Sequence, residues 1–140
     1  MRSGLYCYTN APELAAALDA EPARARTPQE MLAIAFARPP NDPPDTTYEY
    51  CNTNYVLLGL VAEKAGGRPL AELMRDRLFG PLGMHDTLLP AAGYTALPEP
   101  YSHGYMFGET LYALIDQDYP ADLTAAAQAG TLEPIDYTHQ

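Results

Sequence analysis

Serine, lysine, cysteine and histidine are scarce in this chain, and that scarcity limits its chemistry. Its 140 residues include two serines (Ser3, Ser102), one lysine (Lys64), two cysteines (Cys7, Cys51), three histidines and no tryptophan. A serine nucleophile therefore has two candidates, and a catalytic lysine has one. The pattern Ser-x-x-Lys puts a hydroxyl and an amine on one helix face, so that the amine can take the hydroxyl proton. It does not occur: Tyr6 stands three residues after Ser3, and Tyr105 three after Ser102. A Gly-x-Ser-x-Gly elbow is missing as well. His85, His103 and His139 show no metal-ligand spacing, with each other or with the cysteines, so no metal site is expected. A Cys-His pair built from Cys7 or Cys51 finds no support in the local sequence. No phosphate-binding loop is present, since Gly66-Gly67 stands at a helix end, and no cofactor is expected.

Positive charge is also short. The net charge is −10, and no lysine or arginine follows Arg77. Such a chain repels the phosphate backbone, so nucleic acid is excluded as a partner. Anionic membrane surfaces are disfavoured for the same reason. The acidic stretch after Arg77 reads as a solvated surface, with steering of cationic substrates as the alternative. Long apolar runs are absent. Tyr55 to Ala62 is far too short to span a bilayer, and the opening Met-Arg-Ser-Gly-Leu has no apolar signal region, so the chain reads as soluble.

What is present is a packable chain. Hydrophobic residues make up 47% of it, and 14 prolines and 11 tyrosines stand out. The length suits one domain. The pattern is mainly α, a small helical domain with long loops. Asn10 can cap a first helix, with Glu13 closing a capping box and Leu14 and Leu18 on one face. Thr27-Pro28-Gln29-Glu30 is a stronger start signal, followed by a stripe of Met31, Ile34 and Ala35, with Arg38-Pro39-Pro40 as the stop. Residues 39 to 47 form a rigid polar loop leading to an extended Tyr48-Glu49-Tyr50. Asn52 or Thr53 then caps a helix over Tyr55 to Ala65, buried on nearly all sides and closed by Gly66-Gly67. Pro69 starts another helix, with a stripe of Leu70, Leu73, Met74 and Leu78, stopped by Gly80-Pro81. Residues 90 to 108 read as surface loop, 109 to 116 as helix or strand, and 125 to 129 as one or two helical turns.

One constellation carries chemistry. Tyr50 and Asn52 lie two apart in an extended stretch, so their side chains project to one side. A phenol can pass a proton when a cation lowers its pKa, and a carboxamide offers a donor and an acceptor to a peptide-like group. The following helix N-terminus favours a developing anion. From spacing alone the plainer reading is a core tyrosine and a helix-capping asparagine. Between them stands Cys51. Cys7 and Cys51 suit one disulfide in an exported protein or two small buried thiols.

The stretch Tyr50-Cys51-Asn52-Thr53-Asn54-Tyr55-Val56-Leu57-Leu58-Gly59-Leu60-Val61-Ala62-Glu63-Lys64 resembles the second active-site motif of the serine β-lactamase-related hydrolases. That group includes class C β-lactamases, D-alanyl-D-alanine carboxypeptidases, D-aminopeptidases and related esterases. Phe79-Gly80-Pro81-Leu82-Gly83-Met84 with Asp86-Thr87 is similar to a turn usual in the family. Ser3-Gly4-Leu5, Ser102-His103-Gly104-Tyr105 and Asp136-Tyr137-Thr138 resemble further family stretches. The resemblance implies the all-α domain of the serine β-lactamase/DD-peptidase fold, with Tyr50 as the catalytic proton relay and Asn52 as the ligand of the substrate amide. Cys51 takes a place often held by serine or alanine, and it is either a reactive thiol or within reach of Cys7. The nucleophilic Ser-x-x-Lys and the third motif of the family are not in the chain, which looks like the middle of such an enzyme. Its expected partners are then an α/β catalytic domain and a small-molecule or peptide substrate. The isolated domain is expected to be inactive and to self-associate into a homo-oligomer. A stand-alone, non-catalytic binding module is the alternative. Most relatives act outside the cytoplasm, which implies a secreted or cell-envelope parent.

Overall fold

In a computed structural model of the chain, residues 1–91, 93–94, 97–114 and 118–138 are described. They fall into two compact units. The first comprises residues 1–8 and 26–94, and the second residues 9–25 and 95–140. Regular structure is mainly helical, as the sequence suggests, and no helix among the described residues is long and apolar enough to cross a membrane.

The first unit carries helices α2 (Pro28–Phe36), α3 (Asn52–Gly66) and α4 (Leu70–Met74). The sequence fully announces the start of α2. The Thr27 hydroxyl accepts from the Glu30 N–H at 3.2 Å, and the Glu30 carboxylate accepts from the Thr27 N–H at 2.7 Å. Its buried residues are Leu32 and Ala35, with Met31 and Ile34 half-buried, so the stripe is rotated from the expected one. At the far end of α3, Gly67 adopts φ +66° and its N–H returns to Glu63 at 2.8 Å, the expected glycine stop.

Two expectations fail here. Helix α3 is not buried on nearly all sides. Of its residues only Thr53 is buried, while Tyr55, Leu58 and Val61 are 55%, 60% and 60% exposed. Within this unit α3 packs on α2 and α4, which cover part of its circumference only. The second failure lies just after α4, which continues as a π-helical turn over Arg75–Phe79, closed by the Gly80 N–H on the Arg75 carbonyl at 2.8 Å. The wider turn adds a residue to the repeat and rotates the side chains beyond it. Phe79 is therefore buried in the place expected of Leu78, which is exposed.

The loop from 39 to 47 is shaped by the start of the chain. Gly4 accepts from the N–H groups of Asn41 and Asp42, Arg2 accepts from that of Asp45 at 2.7 Å, and Met1 from that of Glu49 at 3.0 Å. Gly4 has φ +71°, and a Cβ there would lie 1.9 Å from the Asp42 carbonyl oxygen. Only glycine fits this approach.

The second unit carries α1 (Pro12–Ala20), α5 (Leu111–Leu114), α6 (Ala121–Gln128) and a two-stranded antiparallel ribbon of β1 (Tyr105–Met106) with β2 (Ile135–Asp136). Asn10 does not cap α1. It lies in a preceding 3-10 turn, Tyr8–Asn10, and the N-cap is Ala11 without a side-chain bond. Helix α6 starts four residues before the expected one. Part of the stretch expected to be surface loop is β1, whose partner is 30 residues away in sequence. His139 lies outside the described residues.

Candidate active site

Tyr50 and Asn52 stand where the extended segment meets the N-terminus of α3. Tyr50 is exposed and its ring packs on Tyr55 at 5.7 Å, while Asn52 is half-buried as the first residue of the helix. Cys51, between them, is the N-cap, but its side chain forms no capping bond. Capping comes from another part of the chain. The Asn52 N–H donates to the Cys7 sulfur at 3.1 Å. Thr53 donates its hydroxyl to the Tyr6 carbonyl at 2.8 Å and accepts from the Tyr8 N–H at 3.1 Å. The Cys51 thiol donates to the Leu5 carbonyl at 3.4 Å. The segment from Ser3 to Tyr8 is thus pinned along the start of α3, and with it the two stretches that resemble family motifs.

The electrostatics are those of a dry contact opening onto a wet surface. Burial pushes the Cys51 thiol above its usual pKa. Hydrogen bonding to Thr53 opposes the shift, and the neighbouring Cys7 reinforces it. Such a thiol is protonated at neutral pH, which argues against a thiolate nucleophile. Both cysteines are buried thiols in the structure. Tyr8 is also raised, first by burial and then by its neighbours Cys7, Tyr50 and Cys51, so its phenol stays protonated. The Arg38 guanidinium lies over the Tyr6 ring, 4.9 Å from its centre. The α3 N-terminus adds the positive end of a four-turn dipole next to Asn52.

Sequence reasoning named Tyr50, Asn52, Cys7 and Cys51, and the structure brings all four to one place in the first unit. It missed Thr53 as the pin and Tyr8 as a neighbour. The alternation Tyr6-Cys7-Tyr8 was the available signal, since in extended chain it sends Cys7 to the side opposite the two rings.

In the second unit the Asp19 carboxylate takes the N–H and hydroxyl of Thr110 and the Tyr137 hydroxyl, the last at 2.9 Å. It borders a cavity of about 750 Å³ lined mainly by apolar residues, among them Pro12, Ala15, Leu111 and Ile135. With three donors on it, Asp19 serves to tie α1 to the start of α5 and to the end of the ribbon. His103 pairs with Asp136 at 2.8 Å and stacks on Tyr105. No group of three or more potential metal-ligating side chains occurs among the described residues.

Residues 1–132 match the family model described as beta-lactamase. Over 46 residues the chain is 46% identical to penicillin-binding protein 4 of Amycolatopsis lactamdurans, a match covering 33% of this chain and 12% of that protein. Over 59 residues it is 41% identical to a D-aminopeptidase of Cereibacter sphaeroides, covering 42% of this chain and 11% of the relative. Among solved structures, a D-stereospecific amidohydrolase from Streptomyces sp. matches with a TM-score of 0.69 and 35% identity, over 74% of this chain and 32% of the other. D-amino acid amidase from Ochrobactrum anthropi SV3, complexed with D-phenylalanine, matches with a TM-score of 0.59 and 31% identity, over 76% and 28%. The chain therefore corresponds to a minor part of these proteins, and its mainly helical fold is the matching part of theirs. With a family model matched along nearly its whole length, this chain belongs to the β-lactamase family.

Proposed function

We propose that this chain supplies the tyrosine–asparagine part of the active site of a penicillin-recognising serine hydrolase. In this reading the serine nucleophile and its lysine come from a separate α/β domain of the parent protein, because neither serine here has a lysine three residues on. Tyr50 relays the proton between the attacking serine and the leaving group, and Asn52 holds the substrate amide. The relatives' names point to amides and peptides of D-amino acids as substrates, and the family's name and that of penicillin-binding protein 4 add β-lactams as acyl donors. The reaction is acyl transfer to serine, then hydrolysis of the acyl-enzyme.

The observation that carries this reading is the double pinning of Ser3–Tyr8 to the start of α3. It anchors the chain at Thr53, directly after Tyr50 and Asn52, and leaves Tyr50 exposed. The exposed apolar row Tyr55, Leu58 and Val61 supports an absent partner and, for the isolated chain, self-association. The test is turnover of a D-amino acid p-nitroanilide and a chromogenic cephalosporin by the 140-residue chain. No turnover is expected. Catalysis that survives Cys51→Ala and Cys7→Ala overturns the division of labour. Sedimentation at rising concentration should show association, and a strict monomer counts against the exposed face.

A further inference from the structure

The chain's two cysteines lie 44 residues apart in sequence, yet the fold brings both to the N-terminus of α3 and buries both. The Cys7 sulfur is 3.1 Å from the Asn52 nitrogen, which is two backbone bonds from the Cys51 Cα. That places the Cys7 sulfur at most about 6 Å from the Cys51 Cα by standard backbone lengths. The Cys51 sulfur in turn lies against the carbonyl of Leu5, two residues before Cys7. Both thiols are therefore held at the start of α3, close enough for a bond to form by local adjustment.

We propose that Cys7 and Cys51 form a redox-active dithiol that reversibly locks the segment Ser3–Tyr8 onto the start of α3. The role of the lock at Tyr50 and Asn52 rests on the proposed catalytic function; the pairing of the thiols does not. The co-reactant is a small-molecule disulfide. One cysteine loses its proton, and its thiolate attacks a sulfur of that disulfide. A mixed disulfide forms, and one small thiolate leaves. The second cysteine, deprotonated, attacks the protein sulfur of the mixed disulfide and expels the other small thiolate. Two thiols and one small disulfide become one protein disulfide and two small thiols, with two electrons passing from the protein to the oxidant. The thiol of Cys51 no longer donates to Leu5, and the acceptor of the Asn52 N–H becomes a disulfide sulfur. Burial and the raised Cys51 pKa make the exchange slow at neutral pH and faster as pH rises.

The test equilibrates the full 140-residue chain with graded ratios of oxidised and reduced glutathione. The expected result is the loss of two hydrogens by intact mass, no titratable thiol after denaturation, and a single linked peptide joining Cys7 to Cys51 in unreduced digests. Closing a loop of this length should raise the melting temperature by roughly 10 °C. The Asn52 amide signal should move on oxidation and return on reduction. Two thiols that persist in excess oxidant, or bonds formed only between chains, overturn the pairing. A formed bond that leaves the Asn52 signal in place overturns the link to the site. The mass readout uses the unaltered chain, so it does not depend on whether Cys7→Ser or Cys51→Ser folds. None of these readouts involves turnover, so a failed catalytic reading remains distinguishable.

Discussion

Replacing Thr53 with valine should separate the pin from simple packing. Thr53 is fully buried, and its hydroxyl serves two backbone groups, the Tyr6 carbonyl and the Tyr8 N–H. Valine keeps the volume and the β-branch, so no cavity opens. Both backbone groups lose their partner. A buried polar group left unsatisfied costs about 1–3 kcal/mol. Tyr6 and Tyr8 are half-buried, so water meets part of the demand, and about 2–3 kcal/mol for the pair is expected. Thr53→Ser keeps both hydrogen bonds and loses a methyl, at about 1 kcal/mol. For a domain of this size 1 kcal/mol shifts the melting temperature by about 3–4 °C, so valine should lower it by roughly 6–12 °C and serine by about 3–4 °C. Urea denaturation followed by helix circular dichroism gives the free energies directly. Valine as stable as threonine, or serine as damaging as valine, would refute the two-bond pin.

Three further outcomes rest on the same geometry. Gly4→Ala should destabilise the first unit by several kcal/mol (roughly 2–4), because the residue has a left-handed φ and a Cβ would meet the Asp42 carbonyl; a mild urea-midpoint shift would contradict that approach. Thr27→Ala should cost about 1 kcal/mol by the same measurement, since it removes one arm of the capping box at α2; no loss would mean that the box is idle. Asp136 is held down to about 2 by Thr138, through its hydroxyl and N–H, and then by His103. A depressed carboxylate stabilises the folded state above its unfolded pKa, near 4, and the contribution fades as pH falls toward about 2. Carboxyl NMR titration should place Asp136 in that range, and Asp136→Asn should remove the acid dependence of ribbon signals; an ordinary titration near 4 would contradict it.

The features that could be read from sequence were the local ones. Thr27-Pro28-Gln29-Glu30 and Gly67 are complete within four or five residues, and each bounds its helix as expected. Arg75–Phe79 was misread because nothing in a stripe of leucines announces a π turn, and one added residue exchanges Leu78 for Phe79. The burial of α3 was overestimated because apolar content says that a helix has neighbours, not on which sides they stand. Thr53 looked like an ordinary capping candidate, because its bonds reach back more than 40 residues to Tyr6 and Tyr8. The same distance hid the ribbon of β1 with β2. Tyr50 and Asn52 were named as site residues by resemblance, since spacing alone favoured a core tyrosine and a capping asparagine. Cys7 was named with Cys51 as a candidate partner, and its hydrogen bond to the Asn52 N–H came only with the fold.

The most direct measurement is kcat/KM for a D-amino acid amide in the complete parent enzyme carrying Tyr50→Phe. Phenylalanine keeps the ring against Tyr55 and removes only the hydroxyl. If Tyr50 relays the proton, kcat/KM should fall by about 10²–10⁴-fold, mostly in kcat and with a flattened pH profile. Turnover within a few-fold of the unaltered enzyme, with the same pH profile, would contradict a catalytic role for Tyr50.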